Sequence, residues 1–251
     1  MQATMETLSH STTFATRQAT TSAAASGGHA QRNGDFLSKL SPAALDDFAS
    51  LELPIRYDEG TVLFSEQESP IGVYLILEGE VKLSMNSSEG KRLIVRIARA
   101  GEVLGLTSAL TGSPSEMTAE TLYSSRLMPV GRREFMNFLM RHPDAYQVVT
   151  QELSRELNKA CEQLRTVGLS SSAPEKLARL LLDWSQNGQT TESGTRFRFC
   201  LTHEEIGEFI GASRETVTRT LSTFKLRRLV ALNGSTLTIP NRRALENYAR
   251  A

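Results

Sequence analysis

The stretch from Leu201 to Lys225, L-T-H-E-E-I-G-E-F-I-G-A-S-R-E-T-V-T-R-T-L-S-T-F-K, admits few local structures. Thr202 followed by Glu205 forms a capping box, in which the hydroxyl takes one orphan helix N–H and the carboxylate reaches back to another. Ile206, Phe209 and Ile210 then fall on one face at helical spacing. Gly211 ends this helix, because glycine adopts the left-handed conformation that a helix end needs. Ser213 caps a second helix, whose Val217, Leu221 and Phe224 point inward. The spacing therefore predicts two helices joined by a tight turn.

Arg214, Glu215, Thr218, Arg219 and Ser222 are left on the outer face of the second helix. Arg214 and Glu215 lie in its first turn, where a recognition helix reads bases. Arg219 follows roughly 7.5 Å along the axis at 1.5 Å per residue. An arginine can fork onto guanine O6 and N7, and a glutamate can accept from cytosine N4. An amphipathic pair with a merely solvated face explains the apolar pattern alone. The caps, the glycine turn and the R-E-x-x-x-R face together point to DNA.

The run E-E-I-G-E-F-I-G-A-S-R-E-T-V-T-R-T-L resembles the helix-turn-helix of the cyclic-AMP receptor protein/FNR (Crp/Fnr) superfamily of bacterial transcription regulators. The resemblance spans about residues 35–250 and is most specific at residues 202–221. It implies that the S-R-E-T-V-x-R helix reads a TGTGA-like half-site through Arg214, Glu215 and Arg219. Thr202, Ser213, Thr218 and Lys225 complete the expected DNA-binding set. The family also implies RNA polymerase as a partner if the chain activates transcription.

The 251 residues carry no net charge and suit two modest domains. From Pro174 onward there are 12 Lys/Arg against 8 Asp/Glu, the sign that phosphate contacts need. Two cysteines, Cys161 and Cys200, make no disulfide framework and suit a reducing cytoplasm, and the resemblance implies that this cytoplasm is bacterial. No apolar run approaches the roughly 20 residues that span a bilayer, so no membrane partner is expected.

Residues 1–34 are rich in Ser, Thr and Ala and are expected to be a disordered tail. A helix is expected over Phe36 to Leu51, with Ser41-Pro42 opening its second part. From Ile55 to Val130 short apolar runs alternate with glycines about ten residues apart, which predicts a β sandwich or jelly roll with strands at 62–65, 73–77, 81–86, 93–97 and 125–130. The segments E-G-T-V-L-F, Y-L-I-L-E-G-E-V-K-L and A-G-E-V-L-G resemble the cyclic-nucleotide-binding β-roll.

The cyclic-AMP type has a G-E pair for the ribose and an Arg followed by Ser or Thr about ten residues on for the phosphate. Gly101-Glu102 is present, but Glu102 to Ser125 contains no Lys or Arg. G-S-P-S-E-M at 112–117 stands where the arginine belongs. A buried phosphate needs a cation or several oriented N–H donors, which backbone or an arginine from elsewhere must then supply. Gly101, Glu102, Ser115, Glu116 and Thr118 form the candidate effector pocket, and cyclic-AMP control of the usual kind is not expected. The small-molecule effector is left unnamed. No cysteine precedes Cys161, which excludes the superfamily's N-terminal iron–sulfur cluster on ligand count. The histidines, His10, His29, His142 and His203, offer no evident haem-ligand set, with His142 a loop residue. No metal site is expected.

The long helix is expected at about residues 144–168. Tyr146, Thr150, Leu153, Leu157, Ala160, Leu164 and Val167 recur at four and three, a heptad seam. In the family this helix pairs two protomers, which makes Leu153, Leu157, Ala160, Leu164 and Val167 the expected dimer interface. Ser170 to Pro174 reads as a hinge. Beyond it lie a helix with an inward Trp184, a strand whose Arg196 and Arg198 meet phosphate or water, and a wing hairpin around Asn233-Gly234-Ser235.

The expected fold is thus α+β: a tail (1–34), an N-terminal β jelly roll (35–142), a dimerisation helix (143–169) and a C-terminal winged helix-turn-helix (170–251). A homodimeric, double-stranded-DNA-binding regulator is expected, with a cyclic-nucleotide-dependent regulator and a constitutive binder whose roll is only a scaffold as the rivals. Metal-dependent jelly-roll enzymes need clustered histidines, and residues 36–140 contain none, so no enzyme activity is expected.

Overall fold

The computed structural model describes residues 36–169, 172–186 and 188–249. The expected tail and part of the expected hinge fall outside the described residues. A 3₁₀ turn at Leu37–Lys39 precedes helix α1 (Pro42–Ser50), so the helix expected over 36–51 is split at Ser41. Ser41 caps α1 through the Ala44 N–H, and Pro42 occupies the first turn, where its missing donor costs nothing.

Eight strands follow: β1 (Ile55–Tyr57), β2 (Val62–Phe64), β3 (Gly72–Glu78), β4 (Glu80–Asn86), β5 (Arg92–Arg99), β6 (Val103–Leu104), β7 (Thr118–Thr121) and β8 (Ser125–Gly131). A short helix, α2 (Leu106–Thr111), separates β6 from β7. The strands form two antiparallel four-stranded sheets, ordered β1-β8-β3-β6 and β2-β7-β4-β5. Leu63, Ile76, Leu83, Leu104, Ala119 and Leu127 fill the space between them. The first sheet is covered on its other face too: Val73, Leu75 and Val130 meet Phe48 of α1 and Phe135 and Phe138 of α3 (Arg132–Arg141). Burial on both faces explains why β3 reads as a continuous apolar run.

Helix α4 (Ala145–Leu169) rests its first turns on that helical layer through Ala145, Val148 and Val149. Leu153 joins them, half-buried, so its side chain is partly used within its own chain. Farther along, Leu157 and Leu164 are 65% and 66% exposed.

The C-terminal part contains α5 (Ala173–Ser185), β9 (Gln189–Thr191), β10 (Gly194–Arg198), α6 (His203–Ile210), α7 (Arg214–Leu226), β11 (Ala231–Asn233), β12 (Thr236–Ile239) and α8 (Arg242–Ala249). Ser172 caps α5 through Glu175 N–H. The four strands run β11-β12-β10-β9. Asn233 pairs with Thr236, so Gly234 and Ser235 make the wing's two-residue turn and Asn233 belongs to the strand. Gly234 has φ +57°, the hand that matches the twist of a hairpin. Trp184 stands edge-on to Phe199 at 4.7 Å in the core of this part. The roll corner Leu122-Tyr123 is buried in the same cluster. Arg198 lies over the Tyr123 ring at 4.0 Å and donates to Cys200 Sγ, so it faces the roll. No helix among the described residues is long and apolar enough to cross a membrane, and no group of three or more His, Cys, Asp or Glu among them is placed to hold a metal ion.

Candidate nucleic-acid interface

The helix-turn-helix is held by short-range bonds. Thr202 Oγ1 accepts from Glu205 N, and the Glu205 carboxylate accepts from Thr202 N at 2.9 Å, completing the capping box. Gly211 closes α6 with φ +65°. Ser213 caps α7 by accepting from Thr216 N. Val217, Thr220, Leu221 and Phe224 are buried, which turns the opposite face of α7 outward.

That outer face carries Arg214, Glu215, Thr218, Arg219, Ser222 and Lys225, all exposed. Among the described residues, neither Arg214 nor Arg219 has a carboxylate within ion-pair distance. Unpaired cations projecting from the first turns of an exposed helix suit a polyanion. Glu215 is ionised: its own backbone N–H and the Ser213 hydroxyl hold its carboxyl below the ordinary glutamate value. It can therefore accept from an exocyclic amine while its neighbours donate.

Sequence reasoning missed His203. Thr218 Oγ1 donates to Arg214 O at 2.9 Å, so its proton is committed. The 2.8 Å contact with His203 Nδ1 must then be a donation from the imidazole to the hydroxyl. This ties the start of α6 to the middle of α7. The only local signal was its place directly after the Thr202 cap. Thr202, His203, Lys225, Gly234 and Ser235 also border one cavity of about 320 Å³ between α6, α7 and the wing. Arg227 instead turns back to the Tyr248 hydroxyl, and Arg242 to Ser185.

The five candidate effector residues do not converge on one cavity. Gly101 has φ +91° in the turn before β6, and its N–H donates to Ile76 O. Thr118 Oγ1 accepts from Glu66 N, and Ser115 exchanges backbone bonds with Gln67 and Glu68, so both hold the β2–β3 loop. Ser115 and Glu116 line a cavity of only about 40 Å³, together with Arg96 and Glu156. Glu102 is engaged elsewhere: its Oε2 accepts from Arg96 at 2.6 Å and from Lys159 of α4 at 2.9 Å.

A cation from upstream, Arg96 on β5, does line this small cavity. It is 6% exposed and already neutralised, because its other nitrogen donates to Glu156 of α4 at 2.5 Å. Burial pushes the Glu102 carboxyl up, but Arg96 and Lys159 outweigh it and hold the group below its ordinary value. Glu156 is raised, by burial and by the charge of Glu102, against the pull of Arg96.

An exposed, unpaired recognition helix beside a wing, joined by a long helix to a two-sheet roll, defines a winged helix-turn-helix DNA-binding protein with a cyclic-nucleotide-binding-like domain. Residues 175–248 match the Crp-like helix-turn-helix domain, and residues 54–142 match the cyclic nucleotide-binding domain. A CRP-like cAMP-activated global transcriptional regulator of Mycobacterium tuberculosis is 26% identical over 212 residues, covering 84% of this chain and 94% of that protein. The transcriptional activatory protein AadR of Rhodopseudomonas palustris is 28% identical, covering 77% of this chain and 80% of that protein. The solved structure of FixK2 from Bradyrhizobium japonicum superposes with a TM-score of 0.71 at 22% identity, covering 80% of this chain and 98% of that one. The chain belongs to the Crp/Fnr superfamily of DNA-binding transcription regulators.

Proposed function

We propose that the chain is a homodimeric, sequence-specific regulator that binds a TGTGA-like palindrome and is not controlled by cyclic AMP in the usual way. Its divisions are those expected from the sequence, with the roll at 35–142, the dimerisation helix at 143–169 and the DNA-binding part from 170. Arg214, Glu215 and Arg219 read base edges. Thr202, Ser213, Thr218 and Lys225 serve backbone contact and positioning, the sequence-independent share of the interface. The observation that carries this reading is the exposed face of α7, on which Arg214 and Arg219 have no ion partner among the described residues.

Dimerisation through α4 is supported by Leu157 and Leu164, large apolar side chains left 65% and 66% exposed at heptad spacing. A twofold dimer presents its recognition helices one DNA turn apart. Cyclic-AMP independence is supported by the roll–helix junction. The cavity of about 40 Å³ that Ser115 and Glu116 line is far below the ~300 Å³ at which ligand pockets begin, and in the neighbouring cavity of about 280 Å³ that Glu102 and Lys159 line the buried Arg96 is already held by two carboxylates. The name of the mycobacterial relative favours a second reading, activation by cyclic AMP. An effector of other chemistry, and RNA polymerase contact, belong to the first reading if the chain activates transcription.

Fluorescence anisotropy with a labelled palindrome of two TGTGA-like half-sites, with and without cyclic AMP at fixed salt, tests both readings. Selective binding without nucleotide supports the first. Selective binding only with cyclic AMP supports the second.

A further inference from the structure

Gln163 lies on α4, on the side that faces its own roll, and is 7% exposed. Its amide nitrogen donates to Ile94 O at 3.0 Å and to Phe209 O at 2.6 Å. Two carbonyl oxygens within reach of one terminal atom identify that atom as the nitrogen, since an oxygen there would face two acceptors. Each of its two amide hydrogens thus has an acceptor.

The two acceptors belong to different parts of the molecule. Ile94 is on β5, the edge strand of its sheet. There Ser84 pairs with Ile94 while Leu83 pairs with Arg96, so Val95 is an extra residue and bends the strand. Phe209 is in the last turn of α6, where helix carbonyls have no partner in their own helix. A side chain of the long helix therefore caps the first helix of the DNA-binding motif while holding the roll. One turn farther along α4, Val167 Cγ1 stands 3.1 Å from where a side chain on Gly211 would begin. Gln163 and Val167 together seat the α6–α7 turn.

From this seat to Arg214 the chain has little freedom. Ala212 N–H donates to Gly207 O, and Ser213 is already the cap of α7. A shift at Phe209 is passed to the recognition helix within one turn of chain.

We infer that Gln163 is a positioning residue that sets how far apart a dimer holds its two recognition helices, and so selects the spacing between half-sites. The inference rests on the dimeric DNA-binding reading proposed above. Gln163 touches no base. Its removal is expected to leave the preferred half-site unchanged and to loosen the preferred spacer.

The test is selection from a random-sequence DNA library with the full-length protein, its Gln163→Met variant and its Gln163→Glu variant, followed by sequencing. Met keeps the volume and removes the donor. Glu keeps the shape and turns an acceptor toward both carbonyls. Melting temperature and sedimentation report folding and dimerisation of each variant. The unaltered protein is expected to enrich one half-site at one spacer length. Both variants are expected to enrich the same half-site with discrimination between spacers reduced by roughly tenfold, the scale of a lost hydrogen bond. An unchanged spacer preference in both variants overturns the inference. So does loss of the half-site itself in folded, dimeric variants, because Gln163 would then serve the motif's integrity rather than its placement. If the unaltered protein enriches no palindrome, the DNA-binding reading fails and this one fails with it.

Discussion

Arg96 of β5 and Glu156 of α4 form an ion pair at 2.5 Å in a region where Glu102 of the roll and Lys159 of α4 complete a four-membered charge cluster. Two cations and two carboxylates cancel there. The long helix is thereby fastened to the roll by charge as well as by packing.

Removing the central cation should be expensive. Arg96→Ala leaves Glu102 and Glu156 partly buried with less compensation, and breaking such a buried pair costs roughly 3–5 kcal/mol. The double variant Arg96→Met/Glu156→Leu removes the charge problem along with the bond and should recover much of that loss. Urea unfolding of the single and double variants checks the ordering. If Arg96→Ala unfolds at the same midpoint as the unaltered protein, the cluster does not fasten the helix.

A second ion pair gives a pH signature. Lys82 of β4 donates to Glu205 of α6 at 2.6 Å. Burial raises the Glu205 carboxyl, but the Lys82 bond and the Thr202 backbone bond hold it below the ordinary value of 4.5. A lowered acid stabilises the fold above its unfolded value, and the contribution is lost as pH falls through the folded value. Glu205→Gln keeps a capping side chain but removes the charge. The unaltered protein should therefore melt above this variant at neutral pH, with the difference shrinking once the buffer passes below 4.5.

The DNA contacts should separate by type. Arg214→Ala should cost about 1–3 kcal/mol and relax preference at one base pair, which a panel of single-base substitutions in the operator will report. Lys225→Ala should weaken all sequences alike and lower the slope of log affinity against log salt by about 1.

The α4 seam can be tested in the same way. In a lone chain Leu157→Ala and Leu164→Ala are surface substitutions, within about 0.5 kcal/mol of neutral. Buried across a dimer, each costs roughly 2–5 kcal/mol. Sedimentation of the double variant should show monomer where the unaltered protein is dimeric, together with a loss of operator affinity.

The helix-turn-helix was legible because its determinants are local. Thr202 and Glu205 are three residues apart, as are Ser213 and Thr216, and Gly211 closes its own helix. Strand β6, two residues long, and β7, threonine-rich between turns, offered no apolar run to recognise. The junction was illegible for a different reason. Gln163 reaches residues 69 and 46 positions away, and no periodicity records such a pairing. The resemblance places an arginine after Glu102, whereas here an alternating strand carries Arg96 into the same neighbourhood from the other side. Val167 fitted the heptad seam by spacing, yet it borders Gly211 of its own chain.

The burial of Leu122 and Tyr123 among the side chains of the winged part sets a rule for protein engineering. Cutting the chain at the serine-rich junction would leave each fragment with a raw apolar scar, one at the roll corner and one on the winged part. A DNA-binding cassette grafted from this chain onto another sensor would need a matching corner to receive it, and a sensor transplanted alone would carry a sticky edge. The two halves are interchangeable with relatives only as a fitted pair.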